Sequence, residues 1–150
     1  KYKFPPLEST YPGHPDKPEG LDEVQKIFEE CDGFIFVSPE YNGGYSGTLK
    51  NSIDYFKQEY FRKPIGVCSA SAGAMAGVRA AHQMQLLVMA LFGFPIPQML
   101  MVPKVQEVFD EHGNYLDTGF EAKVDKFVDS YLWLAEAVML KKAKDKSTQE

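Results

Sequence analysis

Gly33-Phe34-Ile35-Phe36-Val37-Ser38 is a short, continuously apolar run with no polar alternation, the pattern of a strand covered on both faces of a parallel sheet. Just upstream, Leu21, Val24, Ile27 and Phe28 fall at helical spacing behind Pro18-Glu19-Gly20, with Asp22, Glu23, Glu29 and Glu30 on the other face. They predict an amphipathic helix of about three turns. The unit of helix and then buried strand recurs downstream. Leu49, Ile53 and Phe56, with Tyr55 and Tyr60 beside them, mark a helix from about Gly47 to Tyr60, and Pro64-Ile65-Gly66-Val67-Cys68-Ser69 is a second buried strand.

A third helix is predicted from Ala76 to Phe92 on Ala80, Met84, Leu87, Val88 and Leu91, stopped by Gly93 as a C′ glycine. Ile96 to Val102 supplies a third strand, and Phe109 to Asp117 is a turn-rich excursion. A final amphipathic helix runs from Phe120 to about Lys144 through Val124, Phe127, Val128, Tyr131, Leu134, Ala135 and Val138. The opening stretch carries Pro5, Pro6, Pro12, Pro15 and Pro18, which excludes regular helix and central strand and predicts a surface connection. Alternating helices and buried strands predict a doubly wound parallel α/β sheet with helices on both faces, in one domain over residues 1–150. Three strands make a thin sheet for this class, where about five or six are usual, so either the sheet is small or strands upstream of Lys1 are absent from this sequence.

Composition bounds the function. The 150 residues are 44% hydrophobic and 25% charged, with 12 Gly and 10 Pro, which excludes disordered, collagen-like and disulfide-scaffold classes. Two cysteines, Cys31 and Cys68, fit cytosolic usage. With 16 basic against 21 acidic residues and a net charge of −5, there is no electrostatic footprint for nucleic acid. Lys141, Lys142, Lys144 and Lys146 are interleaved with Ala and Asp and read as a solvated helix end. No apolar run reaches the ~18 residues needed to cross a bilayer, and the expectation is a soluble, cytoplasmic protein without membrane contact. His14, His82 and His112 have no neighbouring ligand spacing for a metal, and no Ser-His-Asp or phosphate-loop pattern is present.

In open parallel sheets, ligands bind beyond the carboxyl ends of the strands. Two segments occupy that position here. Ser38-Pro39-Glu40-Tyr41-Asn42-Gly43-Gly44-Tyr45-Ser46-Gly47 follows the first strand and concentrates glycines whose conformational freedom is lost unless the main chain must be closely approached. Ser69-Ala70-Ser71-Ala72-Gly73-Ala74-Met75-Ala76-Gly77 follows the second and is almost all small, leaving room for a planar ligand.

Ser38 to Asn42, continuing through Gly47-Thr48-Leu49-Lys50-Asn51-Ser52-Ile53-Asp54-Tyr55-Phe56, resembles the signature of the NADPH-dependent FMN reductases, a flavodoxin-like family that includes azoreductases and chromate and quinone reductases. The small-residue loop and Gly77-Val78-Arg79 are similar to the family as well, and the likeness spans Gly20 to Trp133. The resemblance implies a flavodoxin-like fold that binds FMN noncovalently, reduces it with NADPH or NADH and passes electrons to a small acceptor such as a quinone, an azo compound, a metal oxyanion or free flavin. It implies that Pro39, Glu40, Tyr41 and Asn42 border the isoalloxazine largely through main-chain groups, and that Ser69, Ala70 and Ser71 contact it from the other side. Chemistry carried by FMN needs no catalytic side chain. It also implies a homodimer or homotetramer, and the broadly apolar third helix agrees.

Two departures stand out. The position before Gly47, often Pro in the family, is Ser46, a mild change in loop stiffness. The family's first strand and its Gly-Ser-x-Arg phosphate loop have no counterpart in these residues, and the resemblance implies a chain that is N-terminally incomplete. A noncatalytic flavodoxin-like binding or assembly module without cofactor is therefore the alternative. Lys50, Asn51 and Asp54 read as structural, although a cation near a helix start suggests a specific partner or a ligand phosphate. Arg79 fits either an anionic cofactor or a neighbouring subunit's carboxylate. His82 reads as a packed or interface histidine, and Cys68 as a small hydrophobe.

Overall fold

The structure, a computed structural model, describes residues 3–8 and 17–148. Pro12 and Pro15, part of the predicted opening connection, lie outside the described residues. In chain order the elements are α1 (Leu21–Glu30), β1 (Phe34–Tyr41), β2 (Gly44–Tyr45), α2 (Gly47–Asp54), a 3-10 turn (Gln58–Tyr60), β3 (Pro64–Ala70), α3 (Val78–Ala90), β4 (Phe94–Pro95), β5 (Leu100–Val102), α4 (Val105–Val108) and α5 (Thr118–Ser147). β1 and β3 pair in parallel from Phe34↔Ile65 to Pro39↔Ala70, β4 and β5 both add in parallel to β3, and β2 folds back antiparallel on β1. This is the expected α/β, flavodoxin-like architecture.

Each face of the sheet has its own core. Phe36, Ile65 and Val67 point to one side, where Met84 and Val88 of α3 join an aromatic group of Phe28, Phe34, Phe56 and Tyr60. On the other side Cys68 and Val102 meet Val108 and Phe120, and the ring edge of Phe127 of α5 approaches Gly66 so closely that a Cβ there would be 2.8 Å from its Cζ. β3 is buried along its length, as its sequence predicts. The expectation for the first strand is corrected: β1 alternates, and Ile35 and Val37 are exposed, because α5 packs chiefly on β3 and β5. Val128 and Ile27, both assigned to buried stripes, are likewise exposed.

Three element boundaries are also corrected. The helix predicted over Gly47 to Tyr60 ends at Asp54, so that the adjacent Tyr55 and Phe56 can both enter the core. They would lie about 100° apart on a continued helix. Glu59 then holds the turn, accepting from the Lys57 N–H and from Gln25 Nε2, both at 2.9 Å. Burial, followed by the charges of Glu59 and Asp54, pushes the Tyr60 phenol far above its ordinary value.

The strand predicted over Ile96 to Val102 is split. Pro95 and Pro97 offer no N–H to a ladder, and residues 96–99 stand opposite only Gly66 and Val67, a bulge pinned by Gln85 Nε2 donating to the Ile96 carbonyl at 2.8 Å. α3, for its part, does not use Gly93 as C′. Phe92 takes that left-handed position (φ 57°), with Phe92 N–H bonded to Met89 and Gly93 N–H to Val88, the paired closure of a Schellman motif. Glycine is required one residue later because a Cβ on Gly93 would lie 2.7 Å from Ile65 Cδ1.

The opening segment is pinned to α2. Asn51 receives the Leu7 N–H (2.8 Å) and donates to the Pro5 carbonyl (2.9 Å), which the Tyr55 hydroxyl also reaches at 2.7 Å. Lys63, buried at the start of β3, donates to the Phe28 and Glu29 carbonyls and so places a cation at the C-terminus of α1. Its burial, with Lys142 nearby, lowers its pKa.

Candidate functional site

The segment after β1 is a β-hairpin, not an irregular loop. β1 continues through Pro39, Glu40 and Tyr41, turns at Asn42 (φ 50°) and Gly43 (φ 80°), and returns as β2 with Glu40↔Tyr45 and Tyr41↔Gly44 in register. Two successive left-handed residues make a type I′ turn, and Asn-Gly is the pair that adopts it most readily. The central N–H groups of such a turn lie outside the ladder, so Asn42 and Gly43 present main-chain donors at the sheet's carboxyl end.

Buried Ser38 closes the base of the hairpin. Its Oγ accepts the Ser46 N–H at 2.8 Å and donates to the Pro39 carbonyl at 2.9 Å. Ser46 in turn caps α2, its side chain accepting from the Leu49 N–H at 3.2 Å. Ser46 has φ −64°, which proline shares, yet proline could supply neither bond. The serine is therefore more than a change in stiffness. Ser46→Pro should destabilise the protein by about 1–3 kcal/mol through the lost cap and the unmet serine acceptor, read as a lower urea midpoint with unchanged slope.

The second wall is the loop from β3 to α3. Ala76 (φ 54°) and Gly77 (φ 72°) are both left-handed, which swings the chain so that α3 starts beside the hairpin. A Cβ on Gly77 would sit 3.1 Å from Ser69 Cβ and 3.4 Å from Glu40 Cβ. Ser69 has no accessible surface, and its hydroxyl donates to the Ala76 carbonyl at 2.7 Å. Ser71 is held by main-chain bonds to Val102 and Val105, and its Oγ accepts the Gly73 N–H at 3.1 Å.

Glu40 joins the two walls. Its Oε2 accepts the N–H groups of Arg79 (3.1 Å) and Ala80 (3.3 Å), and Arg79 Nη1 lies 3.7 Å from Oε1. A carboxylate on the first turn of a helix is favoured by the helix dipole.

The candidate site residues thus sort by exposure. Pro39, Tyr41 and Asn42 are exposed on one wall; Ala70 and Ser71 are half-buried on the other; Glu40 bridges them, and Ser69 lies beneath. The carboxylate that Arg79 meets belongs to its own chain, and Lys50 pairs with Asp54 at 2.6 Å. His82 is exposed, its Nδ1 2.8 Å from the Val78 carbonyl. Ser38, Ser46 and Gln83, whose Nε2 donates to the Gly43 carbonyl at 2.9 Å, are structural members that sequence reasoning missed. Ser46 could have been found as an N-cap from its place before a helical run.

Cavities lie away from these walls, one of about 620 Å³ between α1 and the 3-10 turn and one of about 630 Å³ beside Arg62 and the end of α5. No group of three His, Cys, Asp or Glu side chains able to hold a metal occurs among the described residues. No helix among them is long and apolar enough to cross a membrane.

Burial raises the Cys68 thiol to a pKa of about 11 from an ordinary 9.0. The unfolded chain therefore loses this proton first as pH rises, and the stability that the thiol contributes, whole below pH 9, is lost between pH 9 and 11. The expected loss is about 2 kcal/mol. A Cys68→Ala variant should show a correspondingly flatter alkaline limb in urea midpoints measured across that range.

The ring system of a flavin fits this arrangement: two walls fixed to each other, small residues on one, and main-chain donors with an exposed tyrosine on the other. The model of the NADPH-dependent FMN reductase family matches residues 1–107. An FMN-dependent NADPH-azoreductase of Staphylococcus aureus strain USA300 is 28% identical over 126 residues, covering 82% of this chain and 66% of the relative; the chain thus spans just under two thirds of that protein's length. The flavoenzyme NAD(P)H:(acceptor) oxidoreductase FerB of Paracoccus denitrificans shares the fold with a TM-score of 0.71 at 22% identity, over 81% of this chain and 70% of its own. An oxidoreductase of Corynebacterium diphtheriae does so at 0.64 and 14%, over 81% and 63%. On the family match, this chain belongs to the NADPH-dependent FMN reductase family.

Proposed function

We propose that the protein is an FMN-dependent NAD(P)H oxidoreductase acting on a small acceptor, of the quinone, azo, metal-oxyanion or free-flavin kind. The observation that carries this reading is the Glu40 bridge, which fixes an Asn42-Gly43 turn and a small-residue loop as two walls at the carboxyl ends of β1 and β3. Bound FMN would supply hydride acceptance from NADPH or NADH and its return to the acceptor. Pro39, Tyr41 and Asn42 would flank the ring from the hairpin, Asn42 and its neighbour offering main-chain donors. Ala70 and Ser71 would approach from the opposite wall, with Ser69 holding Ala76 from below and Glu40 keeping the walls in register. No side chain is assigned an acid or base role. The exposed Met75, Leu86 and Met89 on and beside α3 support a homodimer or homotetramer through that helix. A cytoplasmic setting agrees with the two unbridged cysteines.

The test is an FMN titration of the purified protein, followed by NADPH under anaerobic conditions. Quenching of flavin fluorescence on binding and bleaching of the visible flavin band on NADPH addition are expected. A protein that leaves FMN fluorescence unchanged would overturn the reading in favour of a cofactor-free module.

A further inference from the structure

A two-rung hairpin is a weak structure by itself, and glycine at φ 80° leaves its neighbouring peptide planes free to rotate. Glu40 anchors the base of this hairpin, but its tip is held separately. Gln83 lies one turn beyond Arg79 on α3, so the two side chains share a face of the helix. Gln83 Nε2 donates to the Gly43 carbonyl at 2.9 Å, and its Oε1 lies 3.1 Å from where a Gly44 Cβ would stand. The Arg79 Cδ lies 3.5 Å from the corresponding point on Gly43. The tip therefore rests on two side chains of a helix whose inner face, Ala80, Ala81, Met84 and Val88, is packed into the core.

We propose that Gln83 is a positioning residue for the flavin site. By clamping the Gly43 carbonyl it removes the rotation that glycine would otherwise permit, and so fixes the direction in which the Asn42 and Gly43 N–H groups point. Gln83 makes no contact with cofactor in this account; it acts through the turn. The inference rests on the FMN reading above. It also explains why a polar, exposed side chain on α3 is spent on a main-chain carbonyl rather than on solvent. Its aim is to hold the turn, and a glutamine has the reach and the donor to do so from this turn of the helix.

The test compares wild type with Gln83→Leu, which keeps the helix and the side-chain bulk but deletes the donor, and with Gln83→Lys, whose ammonium can donate to the same carbonyl. Amide hydrogen exchange over residues 42–45 is measured without cofactor, and FMN affinity by fluorescence titration. Gln83→Leu should exchange about tenfold faster in the turn and bind FMN about three- to tenfold more weakly, the scale of one lost hydrogen bond. Its urea midpoint should stay near that of wild type, and Gln83→Lys should recover most of both effects. Unchanged exchange in Gln83→Leu, or faster exchange with unchanged FMN affinity, would overturn the positioning role while leaving the cofactor reading standing. A wild type that binds no FMN brings down both.

Discussion

Gly77→Ala should lower stability by about 2–4 kcal/mol and weaken FMN binding about tenfold, the largest single-atom effect expected at the site. Two penalties combine. Gly77 adopts φ 72°, a conformation that disfavours any side chain, and the added methyl would lie 3.1 Å from Ser69 Cβ and 3.2 Å from its Oγ. Ser69 cannot retreat: it is fully buried near the carboxyl end of β3 with its hydroxyl committed to Ala76. Relief must come from the start of α3, which carries the Arg79 and Ala80 amides away from the Glu40 carboxylate. Stability and affinity are thus expected to fall together. Gly73→Ala is the control, because a Cβ there meets only Ser71 Oγ at 3.6 Å; its urea midpoint and FMN affinity should match wild type. Equal behaviour of the two variants would mean that the walls are not joined through Gly77.

Met84→Ala should cost about 3 kcal/mol, within the usual range for emptying a fully buried site of this size, and lower the melting temperature by roughly 6–12 °C. Met84 has no accessible surface and packs in the cluster with Phe36, Val67 and Val88. The site is walled by β1, β3 and α3, elements that cannot collapse inward without breaking strand register. The informative comparison is with Leu140→Ala on α5, where Leu140 is 73% exposed; that change should shift the midpoint by less than about 0.5 kcal/mol. A loss at Met84 no larger than at Leu140 would contradict the seating of α3 described above.

Much of this architecture is legible in the residues. Pro64 to Ser69 reads as a doubly covered strand and is one, because an unbroken apolar run in a central strand leaves few alternatives. The first strand shows the limit of that reasoning. Ile35 and Val37 look the same in sequence as Ile65 and Val67, and whether they are covered depends on what packs over that flank of the sheet, which local sequence does not state. The split of the predicted helix at Asp54 is similarly tertiary, since it follows from where two neighbouring aromatics find room.

At the site, the signature from Ser38 to Asn42 locates the two walls, and the small-residue loop is correctly paired with it. The hairpin itself was readable from Asn42-Gly43 but is masked by the surrounding glycines, which suggest a looser loop. What no local pattern reveals is the destination of the Glu40 carboxylate or of the Gln83 amide. Both are long-range bonds to main-chain groups, 39 and 40 residues away, and main-chain partners leave no trace in residue identity. Phe92 at a left-handed C′ is illegible for another reason. Propensity favours Gly93 there, and the close approach of Ile65 decides otherwise.

The uneven cover of β1 bears on how the protein behaves in bulk solution. Along residues 34–39 the strand pairs with β3 on one side only among the described residues, and Ile35 and Val37 are presented outward beside that edge. An apolar, unpaired edge is a template on which further strands can add. At neutral pH the net charge of −5 keeps molecules apart, but the sequence pI is near 5.2, and there the repulsion vanishes. A sample of residues 1–150 alone should therefore grow in light scattering as pH falls toward that value, and Val37→Lys should delay the growth by placing a charge at the edge. Colloidal behaviour of residues 1–150 in mild acid would then be governed by the same strand that carries one wall of the candidate site at its carboxyl end.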